Sequence, residues 1–385
     1  MTIASYLAEH LVDCSILVLT DLSIIGRFKF PQNVDYVHLP GIVGKSNLLQ
    51  HANRLNLEPG DTLTIRRKII KGAAKTFQPD FFIVEHEPFR LQDEMHNILS
   101  FVRDQLPKAR LIWGLSDVLG DPEMICRDWN REGFYRVLEQ YCDEVWVYGA
   151  QEIFDHVSNY KIPVAVASNY YYTGYLRPPR TTSNGVHKDI ARLNHNKKPY
   201  VLLMTGSGTE GFTLIDNYLR ALERLGEAAQ FQSLIVTGPM MQTRDKLLFK
   251  ERAHKLPGVI FHRFSKNVLQ YVKHARMVVC NGGYNALCEI LSYRKHAIFA
   301  PPLAPPNEHL LRAEIFQNLG VIKRLHPREL SAEHLSEMIQ SDLFGSPALA
   351  PPPVGVQIPF NGLDKIVERI EVLGGANFRA LRQAV

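Results

Sequence analysis

Two glycine-rich stretches carry the residue types best suited to chemistry. Thr205-Gly206-Ser207-Gly208-Thr209-Glu210-Gly211 follows the apolar run Tyr200–Met204, and the segment after it sets Phe212, Ile215, Leu219 and Leu222 on one helical face. Asn281-Gly282-Gly283-Tyr284-Asn285-Ala286-Leu287-Cys288-Glu289 follows the apolar run Met277–Cys280. A strand, a glycine turn and then a helix expose backbone N–H groups at the positive end of a helix dipole, where an anion is held. Ser207 and Thr209 add hydroxyl donors suited to a diphosphate, and the adjacent Gly282 and Gly283 let a phosphate or sugar approach the backbone closely. Glu289, six residues after Gly283, is placed to accept from both hydroxyls of a ribose. The plainer alternatives are tight turns and an ordinary surface glutamate.

Further polar groups fall after other apolar runs. His296–Ala300 leads into Pro301-Pro302-Leu303-Ala304-Pro305-Pro306-Asn307-Glu308-His309, a loop stiffened by four prolines before a helix for which Asn307 is a good N-cap. Ser233–Thr237 ends at Gly238-Pro239, and Val259–Phe264 precedes a short helix over Lys266–Lys273. In the first half the groups after the apolar runs are Asp21, the trio Glu85-His86-Glu87, the pair Ser116 and Asp117, and the pair Gly149 and Gln151. His86 between two acids suits a general base, because a neighbouring carboxylate orients an imidazole and raises its basicity. A lone histidine at a strand end is more often structural, and Asp117 and Asp121 read equally well as turn or helix caps.

The elements that must position these groups follow from periodicity. Residues 2–12 suit a helix with Ile3, Leu7 and Leu11 on one face. Cys14–Leu19, Val34–Leu39, Asp80–Val84, Arg110–Gly114 and Glu144–Tyr148 read as short strands, and a helix N-capped by Asp61 runs to just before Pro79. Short apolar strands alternating with helices predict mostly parallel, doubly wound sheets, whose ligands bind beyond the carboxyl ends of the strands. The chain opens inside what reads as a first helix, so the expected first strand and its Gly-rich loop have no counterpart in it.

At 385 residues and 45% hydrophobic content the chain supports two or three globular domains. Runs such as Ile16–Leu19 and Phe81–Val84 are far too short to span a bilayer, and no basic patch followed by an apolar stretch marks a secretion signal. Five cysteines without a CxxC pair or zinc spacing suggest a reduced, cytoplasmic protein without disulfides or a metal site. The net charge of +5 is matched by residues 177–199 alone, where Arg177, Arg180, Lys188, Arg192, Lys197 and Lys198 face only Asp189. That argues against a nucleic-acid face and for a basic linker. The expected organisation is 1–176 as an N-terminal domain, 177–198 as linker, 199–360 as a C-terminal domain and 361–385 as a terminal helix and tail. The tyrosines Tyr170, Tyr171 and Tyr172 read as strand or core residues.

Residues Val259–Phe264 through Glu289-Ile290, with the loop to Ala313, resemble the donor half of MurG-like glycosyltransferases with a family 28-type C-terminal domain. The likeness covers most of 199–345 and extends more loosely to Pro79–Phe89, Leu111–Pro122 and Tyr172–Pro178. It implies a GT-B architecture, two doubly wound, Rossmann-like α/β domains facing a cleft, with 1–176 on the acceptor side and 199–360 as the nucleotide-sugar donor domain. It also implies that Phe264 and Ser265 read the nucleobase, and that Gly282, Gly283 and Tyr284, with Asn285 beside them, hold the diphosphate. Glu289 then binds the ribose, and Glu308 and His309 contact the sugar. Gly206, Ser207 and Gly208 match the first turn of the donor domain. The family commonly has Gln where Glu308-His309 stand here. Its usual base lies on the opening loop, so His86 or Asp117 would serve instead.

The implied activity is transfer of a hexosyl group from a nucleotide sugar, a UDP sugar first, to an unidentified acceptor without a metal or other cofactor. The alternatives are a nucleotide-sugar epimerase or hydrolase of the same fold, and a non-catalytic nucleotide-sugar-binding partner subunit. Peripheral contact with a membrane is compatible with the family's lipid-linked acceptors.

Overall fold

The computed structural model describes residues 1–41, 57–85, 92–178, 187–195, 198–345 and 357–375. Two compact units divide the chain. One comprises Met1–Arg177 with Ile358–Val385, the other Pro178–Gln357.

In the first unit, β1 (Ile16–Thr20) pairs in parallel with β2 (Val34–His38). A second parallel sheet has the order β3 (Phe81–Glu85), β4 (Arg110–Ser116), β5 (Glu144–Tyr148), β6 (Tyr170–Tyr172). β4 and β5 are apolar through their middles because both of their faces are covered. Trp113, Trp129 and Trp146 are fully buried there, with Trp129 set edge-on to Phe134 at 4.5 Å. The helix after β2 spans Pro59–Phe77, with Glu58 rather than Asp61 at the N-cap position and no side-chain capping bond. Pro59 sets the start, since its fixed φ and missing N–H suit the first helical position, which leaves Asp61 inside the first turn.

The terminal helix Gly362–Gly374 belongs to this unit. The Tyr175 N–H donates to the Pro359 carbonyl at 2.8 Å, and the Gly362 N–H donates to Tyr175 O at 3.1 Å. Leu363, Ile366, Val367 and Ile370 are buried, and Arg369 pairs with Glu144. Gly174 sits at φ +90° beneath this junction, where a Cβ would meet Asn361 Oδ1 at 2.8 Å.

The second unit holds one six-stranded parallel sheet. Its order is β12 (Lys323–Arg324), β11 (His296–Phe299), β10 (Met277–Cys280), β7 (Tyr200–Met204), β8 (Gln232–Val236), β9 (Val259–His262). Met277 lies opposite both Val201 and His296, and Cys280 opposite both Met204 and Phe299. Three adjacent strands therefore end level with one another. The core packs Leu203, Ile235, Val279 and Ile298 against Ile215, Tyr218, Leu219, Phe249 and Leu335. Of the helical face read in the sequence, Ile215, Leu219 and Leu222 are buried and Phe212 is exposed.

Residues 188–195 correct the expected linker. Lys188–His195 is a helix of the second unit, with Ile190 and Leu193 buried and the Leu193 carbonyl accepting from Gln232 Nε2 at 2.6 Å. Its two buried apolar residues stand three apart, enough to dock a two-turn helix even in a basic, polar segment.

Ile366 is fully buried, so Ile366→Ala is expected to lower the first unit's stability by about 2–5 kcal/mol. Denaturation followed through the tryptophans, all three of which lie before residue 178, checks this.

Candidate functional site

Loops at the carboxyl ends of β7, β8, β10 and β11 build the best-defined polar site. The turn after β7 is locked to the turn after β8. Gly208 sits at φ +93° with its Cβ position 2.3 Å from the Thr237 carbonyl, and Gly238 at φ +86° with its Cβ position 2.4 Å from the Gly206 carbonyl. Only glycine fits either place. Thr205 Oγ1 donates to Thr237 O at 2.7 Å and the Met240 N–H to Ser207 O at 2.7 Å. The Ser207 and Thr209 hydroxyls stay exposed and bond each other at 3.2 Å. The helix Phe212–Leu225 begins at Gly211 with no side chain capping its first amides.

The turn after β10 has the same form. Gly282 takes φ +84°, its Cβ position only 2.8 Å from the Phe299 ring, and the helix Tyr284–Ser292 starts at Gly283 without a side-chain cap. Two uncapped helix starts at the ends of neighbouring strands aim amide N–H groups at one rim. Asn281 joins the two turns, its Nδ2 donating to the Glu210 carbonyl at 3.3 Å.

The loop after β11 closes the rim. His309 Nε2 is 3.5 Å from the Cβ position of Gly283, and His309 Nδ1 is 3.7 Å from Glu210 Oε2 with no hydrogen-bond partner. Burial holds the imidazole below its usual pKa, so it is neutral near pH 7. Arg312, fully buried, donates from Nη2 to Glu308 Oε1 at 2.7 Å and from Nη1 to the Gly282 carbonyl at 3.4 Å, with its guanidinium over the Tyr284 ring. Asn307 holds the N-cap position but in the left-handed region, φ +62°, where its side chain makes no capping bond. That differs from the expected cap. Asparagine tolerates this conformation better than most residues do.

Glu289 is partly buried in the Tyr284–Ser292 helix, and desolvation pushes its carboxyl up to about 7. Its charge is felt at the buried Cys280 thiol at the end of β10. It is thus no ordinary surface glutamate. Asn285, one turn earlier, is exposed.

Phe264 and Ser265 follow β9, at the sheet edge beyond β8. The Thr237 hydroxyl donates to the Arg263 carbonyl at 3.3 Å, tying their loop to the Gly238 turn. Ser265 Oγ accepts from the Asn267 N–H at 3.0 Å. Below it, Asp189 accepts from Tyr271 OH at 2.9 Å and meets His262 Nε2 at 2.8 Å and His187 Nδ1 at 3.1 Å, which together hold its carboxyl below the ordinary range.

Of the expected site residues, the structure gathers Gly206, Ser207, Gly208, Gly282, Gly283, Tyr284, Glu308 and His309, while Phe264 and Ser265 lie farther along the same edge. Sequence reading passed over Glu210, Asn281 and Arg312. Arg312 was signalled by its spacing four residues after Glu308.

In the first unit His86 lies outside the described residues. Asp117 is buried, and its Oδ1 accepts from the Val118 N–H at 2.8 Å. Its carbonyl meets Nε2 of the fully buried His156, whose pKa burial drives down to about 4. Asp121 caps the helix Pro122–Glu132 through the Met124 N–H. Glu85 accepts from Tyr148 OH at 2.7 Å. Among the described residues no group of three His, Cys, Asp or Glu is arranged to hold a metal ion.

Residues 201–354 match the model of the glycosyltransferase family 28 C-terminal domain. The match lies within the second unit and spans less than half of the chain. Comparison of whole folds adds three similar structures. A structure described as the glycotransferase of kitacinnamycin is 13% identical, with a TM-score of 0.54 over 97% of this chain and 91% of that one. A proposed UDP-N-acetylglucosamine 2-epimerase from Listeria monocytogenes is 12% identical, with a TM-score of 0.58 over 96% and 91%. S. aureus MnaA in a co-structure with UDP is 10% identical, with a TM-score of 0.57 over 93% and 96%. At such identities the likeness is one of fold, the GT-B type with two Rossmann-like domains. A search of curated protein sequences finds no match.

The family 28 domain's turns separate two costs. Gly206→Ala meets nothing within 4 Å and is expected to cost about 1–2 kcal/mol for its left-handed backbone. Gly208→Ala also drives a Cβ into the Thr237 carbonyl and is expected to cost about 3 kcal/mol or more. Urea denaturation of the two variants checks the order.

Proposed function

We propose that this chain transfers a hexosyl group from a nucleotide sugar, a UDP sugar first, to an acceptor bound at the first unit. The observation that carries this reading is the convergence of two uncapped helix starts with the desolvated Glu289, six residues along one of those helices. Amide N–H groups at the Gly206–Gly211 and Gly282–Tyr284 turns suit a diphosphate, and they favour the departing charge more than the bound ester. Glu289 suits a ribose diol. Glu308 and His309 face the same rim and suit the sugar, with Arg312 fixing the carboxylate of Glu308. Phe264 and Ser265 lie three strands from β10, roughly 14 Å along the edge, a span compatible with a base at one end and a diphosphate at the other.

In the proposed step an acceptor hydroxyl attacks the anomeric carbon. The bond from that carbon to the diphosphate oxygen breaks, and the diphosphate leaves with the electron pair. The acceptor proton passes to a base, for which His86 is the first candidate. Asp117 is the second, although its burial and its bond to the Val118 amide suit a turn-shaping role better.

A second reading is acceptor-independent epimerisation or hydrolysis of the nucleotide sugar. It draws support from the whole-chain likeness to the proposed Listeria 2-epimerase and to MnaA, because one fold hosts both chemistries. Consumption of UDP sugar with no added acceptor would favour it over transfer.

A thermal-shift panel of UDP, GDP, dTDP and CMP tests the donor site. One nucleotide is expected to raise the midpoint, by about 2.7 kcal/mol of stability at a hundred times its dissociation constant, and Glu289→Ala is expected to abolish the shift. No shift with any nucleotide would overturn the assignment.

The pH dependence is also defined. Ribose hydroxyls donate to the ionised carboxylate, which the free protein loses as pH falls through about 7. Nucleotide affinity is therefore expected to rise from pH 6 to pH 8, with about tenfold lost per unit below 7. Glu289→Gln should flatten that dependence when binding is titrated across the range.

A further inference from the structure

The opposite edge of the second unit's sheet carries a different chemistry. Where β7, β10 and β11 begin, the chain encloses a depression of about 420 Å³, within the size range of small-molecule sites. Six of its nine lining residues are basic: Lys198, His274, Arg276, Arg294, Lys295 and His296. None is acidic. Lys198 Nζ donates to the Ala229 carbonyl at 3.1 Å and His274 Nδ1 to the Gln270 carbonyl at 2.9 Å. Arg276, Arg294 and Lys295 pair with no carboxylate among the described residues. The acid felt at His296, Asp342, is already paired with Lys323.

The crowding has a measurable consequence. Burial, and then the charge of Arg276, lower the pKa of Lys295 and of His296 alike. Four permanent cations gathered in a concavity without counter-charge repel one another, and an anion that enters relieves the repulsion. Two guanidinium groups offer forked donors that match phosphate oxygens, and two ammonium groups add point charge.

We propose that this depression binds a ligand carrying two or more phosphoryl charges, at a site separate from the glycine turns. Strands of four or five residues put roughly 13–16 Å between the two rims, so one diphosphate cannot occupy both. Such a ligand has two sources, a soluble diphosphate or the headgroup of a doubly phosphorylated lipid.

Titration of the full chain with inorganic pyrophosphate, and sedimentation with phosphatidylcholine vesicles with and without cardiolipin, test this together. The key variant is Arg276→Ser with Arg294→Ser. Both side chains are exposed, and an unchanged thermal midpoint verifies the fold. The variant is expected to weaken pyrophosphate binding about tenfold or more if the source is soluble, or to abolish cardiolipin-dependent sedimentation if the source is a lipid. Lys198→Gln with Lys295→Gln provides the same readout should the first pair lose stability. Pyrophosphate binding left unchanged by both variants, or no binding of either probe, overturns the proposal.

Discussion

The shared register of β7, β10 and β11 governs the second unit. These three strands pair in one parallel ladder and begin and end within one residue of each other. Whatever follows one strand is therefore set beside whatever follows the next. The Gly206–Gly211 turn, the Gly282–Tyr284 turn and the Asn307–Arg312 helix start meet because the sheet leaves them no other place. The same level alignment at the other ends collects Lys198, Arg276, Arg294 and Lys295.

Alignment alone does not give a rigid rim. Two devices add that. Gly208 and Gly238 interlock two loops at distances that exclude any side chain. Arg312 is a charge buried without solvent, held by a carboxylate, a backbone carbonyl and an aromatic face at once. A guanidinium so placed loses its partners if the glycine turn moves, and an uncompensated buried charge is costly, so the turn stays where the sheet puts it. The rim still keeps polar atoms without partners, His309 Nδ1 and Asn281 Oδ1 among them.

The strands and both glycine turns were legible in the sequence, because a buried parallel strand is a short apolar run and a turn requiring positive φ names its glycine. Less legible was anything decided across the fold. The helix Lys188–His195 hid in a basic, proline-flanked stretch, since two buried side chains, Ile190 and Leu193, are a faint signal beside that composition. The environment of Glu289 was equally hidden, because burial of a carboxyl depends on what the opposite strand brings. Asn307 shows the limit of local rules, being the right residue at the right position with a backbone turned the other way. The cationic depression draws on three separate stretches of chain, so no single run of charge announced it.

The return of the last helix to the first unit has a further consequence. The chain crosses from one unit to the other at residue 177 and back at residue 358, so the second unit is an insertion within the first. On the ribosome the inserted unit emerges whole while the first still lacks Leu363, Ile366, Val367 and Ile370, the apolar stripe that covers its core. The unit that holds the glycine turns is thus the one able to finish folding first during synthesis, before the closing helix of the other has been made.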